Sequence, residues 1–193
     1  MKVSIVTPII RPEKAERCMY AAVMNAGIPD KDFEIVTRVD EDRIGCPKMI
    51  KWLVELSTGD NICFLGDDAL PQMDFLKYAL EDMETLPGGW GVVAFNDGTG
   101  RSLATHWLAS KKMLPLLDGE FFHTGYTHCF CDNELQDHAI AAGRFVYSKK
   151  AVVMHDNPIL NKEPLTGDYA RVYQYDVFYK DRALFAERRR QYL

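Results

Sequence analysis

Apolar residues fall along this chain in two alternating rhythms. Val3 to Ile10 is almost wholly apolar and rich in β-branched residues, the pattern of a strand buried on both faces. Pro8 sits near its end, and Pro12 follows Arg11 where a helix can start. Glu13 to Ala26 then places Ala15, Met19, Ala22, Val23 and Ala26 on one side of a helix, which Gly27 stops. Phe33 to Val39 reads as a second strand, ending in the acidic run Asp40 to Asp42. After the turn Gly45-Cys46-Pro47, Lys48 to Leu56 repeats Met49, Trp52, Leu53 and Leu56 at helical spacing. Thr58-Gly59-Asp60 breaks that helix. Asn61 to Leu65 is a third strand, and Met73 to Met83 a third helix.

The order β-α-β-α-β-α predicts a three-layer α/β/α sandwich with a mostly parallel central sheet. Further on, Trp90 to Phe95 reads as a strand, and Asn96 to Gly100 as a tight turn. Thr105 to Leu117 holds a strand or a short helix. Asn133 to Ala142 is helical, capped by Gly143. Phe145 to Met154 is a strand pair, or one strand interrupted by Lys149 and Lys150. From Asp168 the chain is aromatic and charged, and it ends in an amphipathic helix. The expected division is a catalytic unit over 1–160 and a helical appendage over 161–193. Tyr and Phe of that appendage would pack on the sheet or make a homo-oligomer contact. No repeat or low-complexity segment interrupts the pattern.

Composition narrows the classes. The 193 residues suit one domain with a small addition, and a 47% hydrophobic content fills a core. Lys and Arg number 23 against 28 Asp and Glu, a formal charge of −5. No stable nucleic-acid binding is expected from that balance. The terminal Arg188-Arg189-Arg190 is a local exception: a solvated helix end, or a weak peripheral contact at an inner membrane face. The 5 cysteines include Cys129-x-Cys131, and no second pair completes a zinc pattern. Reduced thiols and a cytoplasmic location follow as expectations. Met1-Lys2 leads straight into the first strand, so no signal peptide is expected. No apolar run is long enough to span a bilayer.

In such a sheet, ligands bind beyond the carboxyl ends of the strands. Thr7, Pro8 and Arg11, Asp40, and the adjacent Asp67 and Asp68 all follow predicted strands and would meet in one crevice. A pair of aspartates after a strand is most often a cap or an Asx turn. It can also hold a divalent cation against a diphosphate. The nucleotide signatures GxGxxG and GxxxxGK[ST] are absent, as is the GxSxG elbow.

VSIVTPIIRP, the strand-end Asp40, the block GCPKMIKWLVELSTGDNICFLGDDALP and the later CDNELQDHAIAAGRFVYSKKAVVMH occur in an informative order. Together, over Met1 to His155, they resemble a GT-A-fold glycosyltransferase of the family 2 type. The resemblance implies sugar transfer from a nucleotide-diphosphate sugar, with a UDP-sugar favoured, to a glycan or other hydroxyl acceptor, using Mn²⁺ or Mg²⁺. Thr7, Pro8 and Arg11 would line the nucleotide pocket, Asp40 would meet the base, and Lys48 would contact the donor. Asp68 matches the metal-binding aspartate of an Asp-any-Asp motif, with Asp67 beside it. Gly66 departs from that motif by taking the place of the first acid. His155 would complete the metal shell. Asp132 matches the catalytic base, with Glu134 the alternative. Deprotonating an acceptor hydroxyl needs such a carboxylate, though Asp132 also fits a helix cap. A single base implies inversion. Trp107 could stack on a sugar or simply pack, and His123 to His128 would edge the acceptor site. The chain is short for the family, as in compact bacterial or phage-encoded enzymes. A nucleotidyltransferase, or a non-catalytic nucleotide-sugar binding or assembly protein, is the alternative; Gly66 favours the latter.

Overall fold

The structure is a computed structural model and describes residues 2–192. In chain order the main elements are β1 (Val3–Ile9), α1 (Pro12–Met24), β2 (Phe33–Val39), α2 (Cys46–Leu56), β3 (Asn61–Phe64), β4 (Ala69–Pro71) and α3 (Phe75–Thr85). They continue with β5 (Val92–Asn96), β6 (Trp107–Ser110), α4 (Cys131–Ala141), β7 (Phe145–His155), α5 (Pro158–Asn161), α6 (Gly167–Val172) and α7 (Tyr175–Tyr192). The strands form one 7-stranded sheet in the order β2-β1-β3-β6-β5-β7-β4. β1, β2, β3, β5 and β7 run one way, and β6 and β4 run against them. The three-layer α/β/α arrangement holds, with a mixed and curled GT-A-like sheet.

Each strand of the sheet centre serves both faces, because successive side chains alternate. Ile5, Cys63, Val93 and Leu108 meet Cys18 and Ala22 of α1 and Phe75, Leu76 and Ala79 of α3. Val6, Ile62, Ala94 and Trp107 meet Ile50 and Leu53 of α2 and Leu135 and Ala139 of α4 on the other face. Truncating Phe75 or Leu53 to Ala would cost about 2–5 kcal/mol, since neither cavity could refill. Trp107 is fully buried against Phe64, Phe121 and Phe122, so it packs and does not meet a sugar.

Several expectations shift in detail. The buried face of α1 runs through Ala15, Cys18 and Ala22, which turns Val23 outward. Gly27 does end this segment, at φ +71°, and a Cβ there would lie 2.5 Å from Asp74 Oδ1. Met73 is exposed, and α3 starts at Phe75. Thr105 to Leu117 proves to be both alternatives in turn: β6, then a 3₁₀ turn over Lys111–Leu116. Phe145 onward is a single strand. Its two lysines sit outward where the register against β5 shifts, and buried Ser148 Oγ accepts from Ala151 N–H at 2.9 Å. β4 went unread, since its three residues carry no periodicity.

Direction decides where chemistry gathers. β1, β2, β3 and β7 are parallel, so the residues after them share one edge. β6 is antiparallel to β3, with Trp107 opposite Phe64, so the residue before β6 reaches that edge as well. That residue is His106.

Candidate active site

At this edge lies a cavity of about 420 Å³. Pro8, Arg11, Asp40, Asp67, Asp68, Asp132 and His155 all line it. Thr7 does not. It is fully buried, and its Oγ1 has no partner. Lys48 is exposed and also lies off the cavity, as does Glu134. The Glu134 carboxylate is taken by the Tyr126 hydroxyl and by Arg188 Nε at 2.8 Å. Of the two acids proposed as base, Asp132 alone faces the cavity.

The adjacent aspartates do different work. Asp67 is 2% exposed and accepts from the backbone N–H of Ile10 and Arg11 at 2.8 and 2.7 Å. It also takes the Arg11 side chain through Nε at 2.9 Å and through Nη2. A charged fork bound this way is fixed in angle as well as place. Asp67 therefore ties the end of β1 to the end of β3. Asp68 splits its two oxygens. Oδ2 accepts from the Tyr169 hydroxyl at 2.6 Å and lies 3.3 Å from Arg11 Nη1. Oδ1 lies 3.3 Å from His155 Nε2. Burial would raise the Asp68 pKa, but His155, Arg11 and Tyr169 together hold it well below the usual carboxylate range.

Asp68, His106 and His155 can each point one ligand atom into the same spot, all within 4.8 Å of one another. His106 is 2% exposed. Burial lowers its pKa to about 3, and His155 beside it pushes the same way. It is thus a neutral imidazole, the form that binds metal. Its ring stands edge-on to that of His155, centroids 4.7 Å apart. Gly66 explains the pairing: a Cβ built there would lie 2.9 Å from Asp68 Oδ1 and 3.1 Å from His106 Nε2. A side chain at position 66 would therefore crowd both His106 and Asp68. The donors fit a divalent cation, and two imidazoles with one carboxylate suit Mn²⁺ better than Mg²⁺. The sequence reading gave His106 no role. The glycine in GDD was the available signal.

Asp40 accepts from Ile44 and Gly45 N–H at 2.8 and 2.9 Å. Its carboxylate shapes the loop into α2, and its rim faces the cavity. Asp132 stands in the first turn of α4. Its Oδ1 accepts from Asn133 N–H at 2.9 Å, and no Lys or Arg pairs with it among the described residues. Burial pushes its pKa up to about 6, against the lowering effect of the nearby backbone N–H groups. His128 lines the cavity next to it, and His123 does not.

No family model matches the chain, and no curated protein does. Solved structures share its fold. S. aureus TarS residues 1–349 superposes with a TM-score of 0.66 at 14% identity, over 82% of this chain and 61% of that one. The same protein has been solved with UDP and with UDP-GlcNAc. The mannosyltransferase PcManGT from Pyrobaculum calidifontis, with GDP-Man and Mn²⁺, gives 0.65 at 14% identity, over 80% of this chain and 56% of that one. A Drosophila β-1,4-galactosyltransferase 7 variant, with manganese, UDP-Gal and xylobiose, gives 0.60 at 14% identity, over 86% and 75%. The fold is thus a GT-A-like one. The chain spans about three fifths of TarS residues 1–349 and of PcManGT, and 37% of the longer TarS chain. No helix of the described residues is long and apolar enough to cross a membrane.

Proposed function

We propose that this chain is a metal-dependent, inverting glycosyltransferase of the family 2 type, taking its sugar from a UDP- or GDP-sugar. The observation that carries this is the meeting of the Asp68, His106 and His155 cluster with the elevated Asp132 carboxyl in one cavity. The acceptor is a hydroxyl, and a UDP-sugar is the favoured donor. The non-catalytic alternative draws its support from Gly66, and the nearness of His106 to that position weighs against it. The relatives' own ligands, UDP-GlcNAc, GDP-Man and UDP-Gal, favour the same donor class.

Asp68, His106 and His155 would hold the cation, which supplies positive charge to the leaving diphosphate. Arg11, locked in place by Asp67, presents fixed positive charge at the same edge, where the diphosphate would lie. Phe64 and Phe122 wall the cavity with apolar surface. Asp132 takes the proton of the acceptor hydroxyl as its oxygen attacks the anomeric carbon. A carboxyl near 6 is largely ionised at neutral pH yet still basic enough to accept that proton. Attack from the side away from the diphosphate gives inversion.

Calorimetry with UDP and GDP, with and without Mn²⁺, joined to hydrolysis assays over a panel of nucleotide-sugars, tests this reading. One nucleotide should bind more tightly with Mn²⁺, and its sugar should be released. Binding indifferent to Mn²⁺, with no donor consumed, would end it.

A further inference from the structure

The C-terminal helix meets the 127–138 segment mainly through one stripe, with Arg189 beside it pairing Asp137 at 2.9 Å. Phe178, Asp181, Phe185, Arg188 and Tyr192 recur at spacings of three and four, so they share one face of α7. All of them touch residues 127–138. Phe178 and Phe185 pack on the Phe130 ring, centroids 5.2 and 5.6 Å away. Arg188 holds Glu134, and the Tyr192 ring lies 3.7 Å from that of His138. Asp181 is the unusual member. It is fully buried, no cation pairs with it among the described residues, and its carboxylate accepts from three successive backbone N–H groups. These are Thr127 at 2.9 Å, His128 at 2.8 Å and Cys129 at 2.8 Å.

A buried carboxylate is a poor way to gain stability, since an apolar side chain of like size avoids the desolvation cost. It is a good way to fix a backbone, because three charge-assisted bonds set the loop's place and its orientation. The loop so held leads within one residue to Phe130, whose φ of +66° is left-handed, and then to Asp132. His128, inside the loop, lines the cavity and packs edge-on against Tyr173 at 5.5 Å. Among the described residues α7 supplies the side-chain acceptor for all three of the loop's N–H groups, while Cys131 Sγ bonds His128 O at 3.2 Å and the Tyr173 ring packs on His128.

We propose that Asp181 is a positioning residue: from α7 it fixes the 127–129 backbone, and so sets where Asp132 and His128 meet the acceptor hydroxyl. The inference rests on the transferase reading for its kinetic half only. The sequence stripe gives no hint of it, since Asp181 and Arg188 in a seam with three aromatic residues read as surface positions.

Hydrogen exchange on the full chain, with kinetics of Asp181→Asn and Asp181→Ala, tests it. In the unmodified protein the amides of Thr127, His128 and Cys129 should exchange about 100-fold more slowly than exposed loop amides. Asp181→Asn keeps one acceptor oxygen and should speed those amides about tenfold or more, leaving β1 and β3 amides unchanged. With the fastest donor among UDP-glucose, UDP-GlcNAc, UDP-galactose and GDP-mannose, kcat should fall about tenfold or more. UDP affinity in Mn²⁺ should stay within about twofold, since Asp181 touches nothing on that side. Fast exchange of the three amides in the unmodified protein overturns the proposal, and does so even if neither variant folds. So does a folded variant with normal kcat, or one that loses kcat and UDP affinity together with sheet protection. If the unmodified protein consumes no donor, the transferase reading fails, while the exchange result still decides the clamp.

Discussion

Asp68 and Asp132 line the same cavity, yet the fold treats their carboxylates in opposite ways. Asp68 is surrounded by partners: Tyr169 and Arg11 on one oxygen, His155 on the other. Its charge is fixed. Asp132 is less sheltered and no Lys or Arg pairs with it among the described residues; burial lifts it to about 6, against the lowering effect of backbone N–H groups and of His155. Its charge is conditional. The first arrangement suits a group that must stay anionic to hold a cation. The second suits one that must gain and lose a proton. The difference comes from topology. Asp68 sits at the tip of a central strand where neighbouring strands and α6 bring their side chains. Asp132 sits on a helix that meets the sheet from one side, positioned by the loop before it.

The sharpest break in this comparison is Asp68→Ala. It removes the carboxylate of the cation cluster and leaves Arg11 one partner short. Turnover should drop about a thousandfold or more, equivalent to about 4 kcal/mol of barrier. The Mn²⁺ enhancement of UDP or GDP binding should vanish in calorimetry. Persistence of that enhancement would place the cation elsewhere.

Asp132→Asn should lower kcat by about 10² to 10³ while nucleotide affinity persists. Its effect on stability runs the other way, and the sign follows from the direction of the shift. The folded carboxyl titrates near 6 and the free one near 3.8, so the folded state holds a proton that the unfolded state releases between those values. Stability therefore falls as pH rises through that window and stays lower above it. Removing the charge should make the variant about 1–2 kcal/mol more stable at pH 7, and no more stable at pH 3.5. Turnover of the unmodified enzyme should decline below about pH 6, read from its kcat profile. A variant that is both inactive and less stable at pH 7 would mark Asp132 as a structural cap.

A smaller and more diagnostic change concerns Gly66 and His106. His106→Ala should weaken Mn²⁺ binding about 10- to 100-fold, measured by titration in the presence of UDP. Gly66→Asp should not strengthen it, because the new side chain meets His106 Nε2 and Asp68 Oδ1. The double variant removes the His106 half of that conflict and leaves the new acid beside Asp68 Oδ1. It should recover Mn²⁺ binding relative to His106→Ala and shift preference toward Mg²⁺, as an oxygen donor replaces a nitrogen. If the double variant binds no better than His106→Ala, His106 is not standing in for an acid.

The same pair shows what was readable beforehand. Asp67, Asp68, Asp40 and His155 each follow a strand, and strand order in an α/β chain sends strand ends to a common edge, so a local pattern was enough. Asp132 was singled out by the family resemblance, since its place at a helix start alone fits a cap equally well. His106 was not, because its role depends on β6 running backward into the sheet centre, and nothing local encodes that insertion. Gly66 looked like a lost ligand and is in fact the room left for one. Tyr169 and Asp181 were hidden for a like reason: each acts across more than fifty residues of chain. Thr7 has the look of a ligand contact, a polar residue at a strand end, although alternation turns this one into the core. Lys48 sits one helical step beyond the buried Pro47 and so faces solvent.

Glu34 offers the mildest test, a carboxylate lowered for structural reasons alone, at the far end of β1 and β2. It accepts from Ser4 Oγ at 2.6 Å, from Thr58 N–H at 2.7 Å and from Lys2 Nζ at 3.0 Å. Partial burial opposes these bonds, and they still bring its pKa down from 4.5 to about 2. The unfolded state therefore takes up a proton first as pH falls. The stabilisation is complete above the unfolded value and drains away between about 4.5 and 2. Because the site is partly solvated, its worth is about 1 kcal/mol and not the full shift. Glu34→Gln should lower the unfolding free energy from urea titration at pH 7 by that amount, with the gap to the unmodified protein closing toward pH 3. Turnover should not change. Equal losses at both pH values would mean that the amide misfits the Ser4 and Thr58 donors, and that the charge contributes nothing. A loss of turnover would mean that the two ends of the sheet are coupled, and that the fixed acids of this fold cannot be sorted by partners alone.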